Sequence, residues 1–384
     1  MGASAPRLTY CTNVHPAPDL QRQLATLDEH VAPIAAAARA AGRPFGLGGW
    51  WPAPLVEELH QDVATADRLA DALAAAGAPL WTLNVFPHGD FHQDVVKTAV
   101  YAPDWGDEAR LLYTRRCAEV GARLMQPGEV LPMSTLPLGY RGPDEPAADE
   151  RRMARNLARA ASAFADVERR TGVRCVLALE PEPNCLLETV RQAADFLERW
   201  LFEEGAWTTV PVEHLRRHLG VCVDLCHLAV LDEDPLAALA DLRRRGVAAP
   251  KIQVSSCLEV RSPDGLEQLL AFAEPRYLHQ TRAANGLRAL DLDDVRARRD
   301  EFAAAGRVRT HYHVPLDWDC DGAFGSTQRE VRRVLTALAA SPEPAPLLEV
   351  ETYTWSVLGD AFGAAPLHER IQRELDWVAA AWKN

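Results

Sequence analysis

Six short β-like runs in this chain each close on side chains able to hold a metal ion or move a proton. They are L-A-L-E-P-E-P with Glu180 and Glu182, V-C-V-D-L-C-H with Asp224 and His227, and K-I-Q-V-S-S with Gln253; then Y-L-H-Q-T-R with His279, T-H-Y-H-V-P with His311 and His313, and L-L-E-V-E-T-Y with Glu349 and Glu351. Carboxylates and imidazoles at the ends of successive parallel strands are the material of an active site at one mouth of a (β/α)8 barrel. Alternation in a strand puts Ala178 and Glu180 on one face and Leu177 and Leu179 on the other. Pro181 and Pro183 bar the strand from continuing, which leaves Glu180 at its C-terminal end. Asp224 with an imidazole three residues later can ligate one divalent cation or two adjacent ones. Glu349 and Glu351 share a face, with Glu351 nearer the mouth, and inward carboxylates require a metal, a histidine or an arginine such as Arg282 or Arg309 as partner. The imidazoles of His311 and His313 likewise share a face. Plainer readings stand beside these: a structural salt bridge for Glu180, a hydrogen-bonded core aspartate for Asp224, and capped loop histidines for the others.

Further groups flank this set. Gln253 is a poor metal ligand beside carboxylates and imidazoles, and suits a substrate hydroxyl instead. His88 and His92 in P-H-G-D-F-H stand where they can close the site from the third strand, with Lys97 alongside, and His15 follows the first strand. Trp50 and Trp51 end the second strand and can form a wall for an apolar or sugar-ring face, although core packing explains them equally well.

The elements that must position these groups alternate between β-rich apolar runs and Ala/Leu/Arg-rich segments of helical period, the pattern of parallel strands joined by crossover helices. Strands are expected near 7–14, 45–50, 80–86, 130–136, 174–180, 219–225, 250–255 and 346–352. Helices are expected at 19–42, 55–77, 106–125, 147–171, 188–203, 235–246 and 326–340, with Gly77, Gly172 and Gly246 as C-caps. The count of eight strands gives an α/β fold, a (β/α)8 TIM barrel, as one domain over 1–384. Residues 256–313 do not fit the repeat and are expected to form an irregular excursion over the C-terminal mouth, with an amphipathic helix at 291–302. The long aromatic stretch 87–105 is the other irregular piece, and loops of this length are usually functional.

The 384 residues, 48% of them hydrophobic and 25% charged, suit an ordinary globular protein with a large core. A net charge of -13 repels nucleic-acid phosphate, so no nucleic-acid partner is expected. No run approaches the ~20 apolar residues of a membrane span and no signal segment opens the chain, so the expected location is cytoplasmic. The eight cysteines are scattered without a C-x-x-C pair and read as free buried thiols.

With Glu180, Asp224, His227 and Glu351 at strand ends, the chain resembles the xylose isomerase-like TIM barrels, the superfamily of sugar isomerases, epimerases and endonuclease IV. More closely, L-T-Y-C-T-N-V-H-P at 8–16, F-P-H-G-D-F-H at 86–92, V-Y-A-P-D-W at 100–105, G-V-C-V-D-L-C-H at 220–227 and L-E-V-E-T-Y-T-W at 348–355 resemble the EboE metabolite-traffic family. That resemblance implies a role in a secondary-metabolite pathway with partners from the same operon, but names no reaction. Gln253 stands where the superfamily usually has a histidine, which makes His279 or His313 the expected substitute. The leading expectation is isomerisation or epimerisation of a small polyhydroxylated sugar or cyclitol, with Glu180 and Glu351 exchanging the proton and one to three divalent ions (Mn, Mg, Fe, Co or Zn) held by Glu180, Asp224, His227, His279, His313 and Glu351. His88, His92, Gln253, Trp50, His311 and Arg282 are the expected substrate contacts. The alternatives are a multi-metal phosphoester hydrolase and a barrel that hands on a metabolite without catalysis.

Overall fold

A computed structural model describes residues 6–142, 147–203, 208–319, 322–358 and 365–383. Its core is a ring of short parallel strands: β1 (Leu8–Tyr10), β2 (Leu47–Gly49), β3 (Leu80–Asn84), β4 (Val130–Thr135) and β5 (Arg174–Leu179), then β6 (Leu219–Val221) and β7 (Val223–Asp224), β8 (Lys251–Val254) and, after the excursion, β14 (Leu347–Val350). One sheet runs β2-β3-β4-β5-β6 and another β1-β14-β8-β7. The two join where β6 continues into β7 past Cys222, whose N–H still donates to Leu179 O (2.8 Å), and where Cys11 bridges Gly48 in parallel. Those junctions close the barrel, with β6 and β7 acting as a single interrupted strand. A side chain at Gly48 would collide with the Glu349 carboxylate and the Tyr10 carbonyl oxygen, so glycine is what the close approach of β1, β2 and β14 demands.

The strands are buried almost throughout, as parallel strands covered by helices must be. The covering helices end where the sequence predicts: Val63–Ala76, Glu150–Thr171 and Pro235–Arg245 stop at Gly77, Gly172 and Gly246, each in the left-handed conformation that releases the chain at low steric cost. A single apolar cluster reaches from Leu8 to Trp382, linking barrel, helices and excursion. The seven described cysteines are free and buried, and Cys320 lies outside the described residues.

The excursion is more regular and longer than expected. β9 (Leu258–Val260), β10 (Thr281–Ala283), β11 (Arg288–Ala289), β12 (Val308–Thr310) and β13 (Phe324–Ser326) form an antiparallel sheet in the order β11-β10-β12-β9-β13. Pairing of Phe324 with Val260 extends the unit from the expected limit at 313 to Ser326. The expected helix at 291–302 is two short ones, Leu292–Ala297 and Arg299–Ala303.

Candidate metal centre and active site

Three carboxylates meet at the strand ends. Glu180 follows β5, Asp224 closes β7 and Glu351 follows β14; all three are buried, and one oxygen from each lies within 4.8 Å of the other two. Asp224 also N-caps the helix Leu225–Val230, so its Oδ1 accepts from the His227 N–H (2.9 Å) and the Ser255 hydroxyl (2.8 Å). This cap is the physical content of the D-x-x-H spacing: it fixes the carboxylate and starts the turn that carries His227. Glu351 Oε1 accepts from the amides of Asn13 (2.8 Å) and Asn84 (2.9 Å). Glu180 Oε2 and Asp224 Oδ2 are buried without any hydrogen-bond partner. Beneath them Glu349 forms a fully buried ion pair with Lys251 (2.6 Å).

Such crowding sets the protonation states. Burial, followed by the charges of Glu351 and Asp224, pushes Glu180 well above the carboxylate range. Burial, Asp224 and Glu349 push Glu351 up to about 8. Three carboxylates in so small a volume cannot all ionise unless a cation joins them. The orphaned oxygens on Glu180 and Asp224 therefore fit a divalent ion.

Three imidazoles stand beside the carboxylates. His227 Nδ1 lies 2.9 Å from Pro181 O, His313 Nδ1 lies 2.6 Å from Glu351 O, and His311 Nδ1 lies 2.7 Å from Gln280 Oε1. These oxygens only accept, so the hydrogen-bond network assigns each proton to Nδ1 and leaves each Nε2 with a lone pair, approached at His311 by the Tyr353 hydroxyl at 3.5 Å. His227 Nε2 and His311 Nε2 face each other at 3.1 Å, and the Nε2 atoms of His227 and His313 each sit 3.9 Å from an Asp224 oxygen. Opposed lone pairs repel unless a proton or metal ion lies between them. Burial and neighbouring rings hold His311 well below the ordinary imidazole value, and burial brings His313 down to about 4, so protonation is the costlier remedy. Asp224, His227 and His313 form a second group whose ligand atoms lie within 4.8 Å, and Cys226, His311 and His313 a third. Cys226 is a ligand candidate that composition alone did not suggest; burial and its neighbour Cys257 hold it as a thiol.

Other expected site residues sit elsewhere. His279 is corrected as a ligand: its Nε2 meets Glu274 (2.8 Å), its Nδ1 meets His311 O (3.0 Å), and its ring stacks on Tyr312, so neither nitrogen is available. The Gln253 carboxamide is buried without partners, in register between Asp224 and Glu349, and the expected imidazole that groups with Asp224 is His313 rather than His279. Arg282 is also corrected: it donates to Asn184 (2.6 Å) and Glu188 (2.9 Å), tying the excursion to the loop after β5, and Arg309 pairs with Glu259 (2.7 Å). Neither reaches Glu349, whose partner is Lys251. His88 packs edge-on to Tyr113 away from the carboxylates, and burial lowers it to about 4. His92 accepts no substrate-facing role either, since its Nε2 bonds Asn13 O (2.7 Å), while Trp50 is fully buried and donates to Pro87 O (3.1 Å). His15 stacks on His30, with Tyr10 OH at 3.1 Å.

Sequence reasoning missed Asn13, Asn84 and Tyr101. The first two fix Glu351, and Tyr101 donates to Glu182 (2.5 Å). A cavity of about 60 Å³ opens above the group, touched by Glu180, His227, His311, His313 and Glu351.

The barrel fold agrees with the family that the sequence matches. The model of the xylose isomerase-like TIM barrel covers residues 34–323, and the chain belongs to that family. No curated protein matches its sequence. Among solved structures it is similar to the IolI protein with a bound zinc atom (12% identity, 98% of each chain, TM-score 0.48) and to D-psicose 3-epimerase with D-tagatose from Clostridium cellulolyticum H10 (11%, 98% and 100%, TM-score 0.48). L-ribulose 3-epimerase is another (16%, 65% and 69%, TM-score 0.37). Among the described residues no helix is long and apolar enough to cross a membrane.

Proposed function

We propose that this chain is a metal-dependent isomerase or epimerase acting on a small substrate with adjacent carbonyl and hydroxyl oxygens. The observation that carries the reading is the meeting of Glu180, Asp224 and Glu351, buried, with two oxygens left unpaired. Glu180, Asp224 and Glu351, with His227 and His313 beside them, would hold a divalent cation, and such an oxygen and imidazole set suits Mn, Mg, Fe, Co or Zn. When bound, the ion supplies a Lewis acid for the substrate's oxygens.

The chain's own residues do the proton work. Glu180 and Glu351 approach from strands on different sides of the ring, and carboxylates so placed can take the proton from the carbon beside the carbonyl and return it. Asn13 and Asn84 anchor Glu351 Oε1, which leaves Oε2 to exchange the proton. A sugar or cyclitol supplies the required oxygen pair, and so does any α-hydroxyketone. The secondary-metabolite pathway and the operon partners rest on the motif resemblance to the EboE family.

Exchange of the substrate's α-proton with solvent deuterium tests this. Glu180→Gln and Glu351→Gln should each reduce exchange by a factor on the order of 10² or more. Phosphoester hydrolysis without exchange would overturn the reading. That second reading, a hydrolase with more than one cation, is favoured by the three Nε2 lone pairs grouped beside the carboxylates.

A further inference from the structure

The cavity above the carboxylates is lined by two chemically different sets of groups. Its floor holds unspent hydrogen-bonding capacity: Glu180 Oε2, His313 Nε2 and Asn13 Oδ1 all line it or touch it without partners of their own. Its wall is Phe86, Phe91, Val96, Val100, Tyr277 and Leu278. The polar atoms within that wall are already engaged. The Tyr277 hydroxyl donates to Phe91 O (3.3 Å), and the Lys97 ammonium spends its three protons on Glu274 O (3.0 Å), Tyr277 O (2.7 Å) and Asp291 Oδ2 (2.6 Å). That lysine also ties the 87–105 segment to the excursion, and Phe91, Val96 and Tyr277 pack into one apolar cluster with Val100 against it.

A free sugar extending from the floor would set its remaining hydroxyls against rings and branched alkyl groups, stripping their water without replacing it. We propose that the substrate is amphipathic, with an adjacent oxygen pair at one end for the floor and an apolar ring or chain as its body for the wall. The oxygenated end rests on the function proposed above; the apolar body narrows the substrate class beyond it.

Protein loaded with Mn²⁺ is titrated with 2-hydroxy-1-phenylethanone and with dihydroxyacetone, which share a hydroxyketone and differ in body. The phenyl compound should bind about ten- to a hundredfold tighter, the range expected from burying one ring face. Val100→Asn and Leu278→Asn, both at half-buried positions, should keep the Mn²⁺ content, weaken the phenyl compound about tenfold and leave dihydroxyacetone within about twofold. Equal or tighter binding of dihydroxyacetone, binding of neither compound, or wall variants that keep the preference intact would each overturn the assignment. Failure of the wild type to hold Mn²⁺ is a separate result that brings down the proposed function, and the same pair titrated into metal-free protein then decides the body preference alone.

Discussion

Stripping the metal should leave a proton in its place, and the structure sets how many. Glu351 lies at about 8 in the folded chain, against ~4.3 for an unfolded glutamate, a difference of roughly 3.7 units or on the order of 5 kcal/mol as an upper figure. Its folded value is raised, so the stabilisation it brings is fully present below the unfolded value and is lost as pH rises through about 8. Glu180 is raised as well and acts in the same direction. At pH 7 Glu351 is about nine-tenths protonated in metal-free protein, and Glu180 is shifted the same way, so an entering cation should displace at least about one proton. Calorimetric titration of Mn²⁺ into stripped protein, in buffers of differing ionisation enthalpy, reads that number directly. Melting of the stripped protein should weaken from pH 5 to 9, and Mn²⁺ should remove most of the slope. Binding without proton release at pH 7, or a stripped protein whose melting temperature is flat between pH 5 and 8, would refute the electrostatic reasoning.

Lys251→Met should lower stability by about 3–5 kcal/mol, because Glu349 is then buried without its counter-ion; chemical denaturation measures it, and Lys251→Met/Glu349→Leu should recover most of the loss. Elemental analysis should find metal greatly reduced in Asp224→Ala and Glu180→Ala, whereas His279→Asn keeps full occupancy because its ring serves Glu274 and the His311 carbonyl. Asn84→Leu removes one of two donors to Glu351 and should raise that carboxyl's pKa, moving the alkaline dependence of metal binding to higher pH.

The barrel was legible because its strands are apolar runs that stop at prolines, glycines or acidic residues, and its helices carry their own caps. β9 and β13 were not, since three residues give no alternation to read and their pairing is set by partners far away in sequence. The carboxylate group was legible through strand parity: Glu180, Asp224 and Glu351 each end a strand. Parity could not distinguish His313 from His279, because both lie on extended segments and only the tertiary partners of their ring nitrogens separate them. Asn13 and Asn84 fall inside the expected strands 7–14 and 80–86 as neutral amides, and Lys251, at the start of β8, gave no sign that it is fully buried opposite Glu349. Neutral amides and a strand-initial lysine become informative only once the ring closes.

Anomalous diffraction from crystals soaked in Mn²⁺ tests the central claim most directly. The account predicts a peak at coordination distance from Glu180, Asp224 and Glu351 together, absent in Asp224→Ala crystals. A peak held by the imidazoles without Glu180 and Glu351, or no peak at the strand ends, would contradict it.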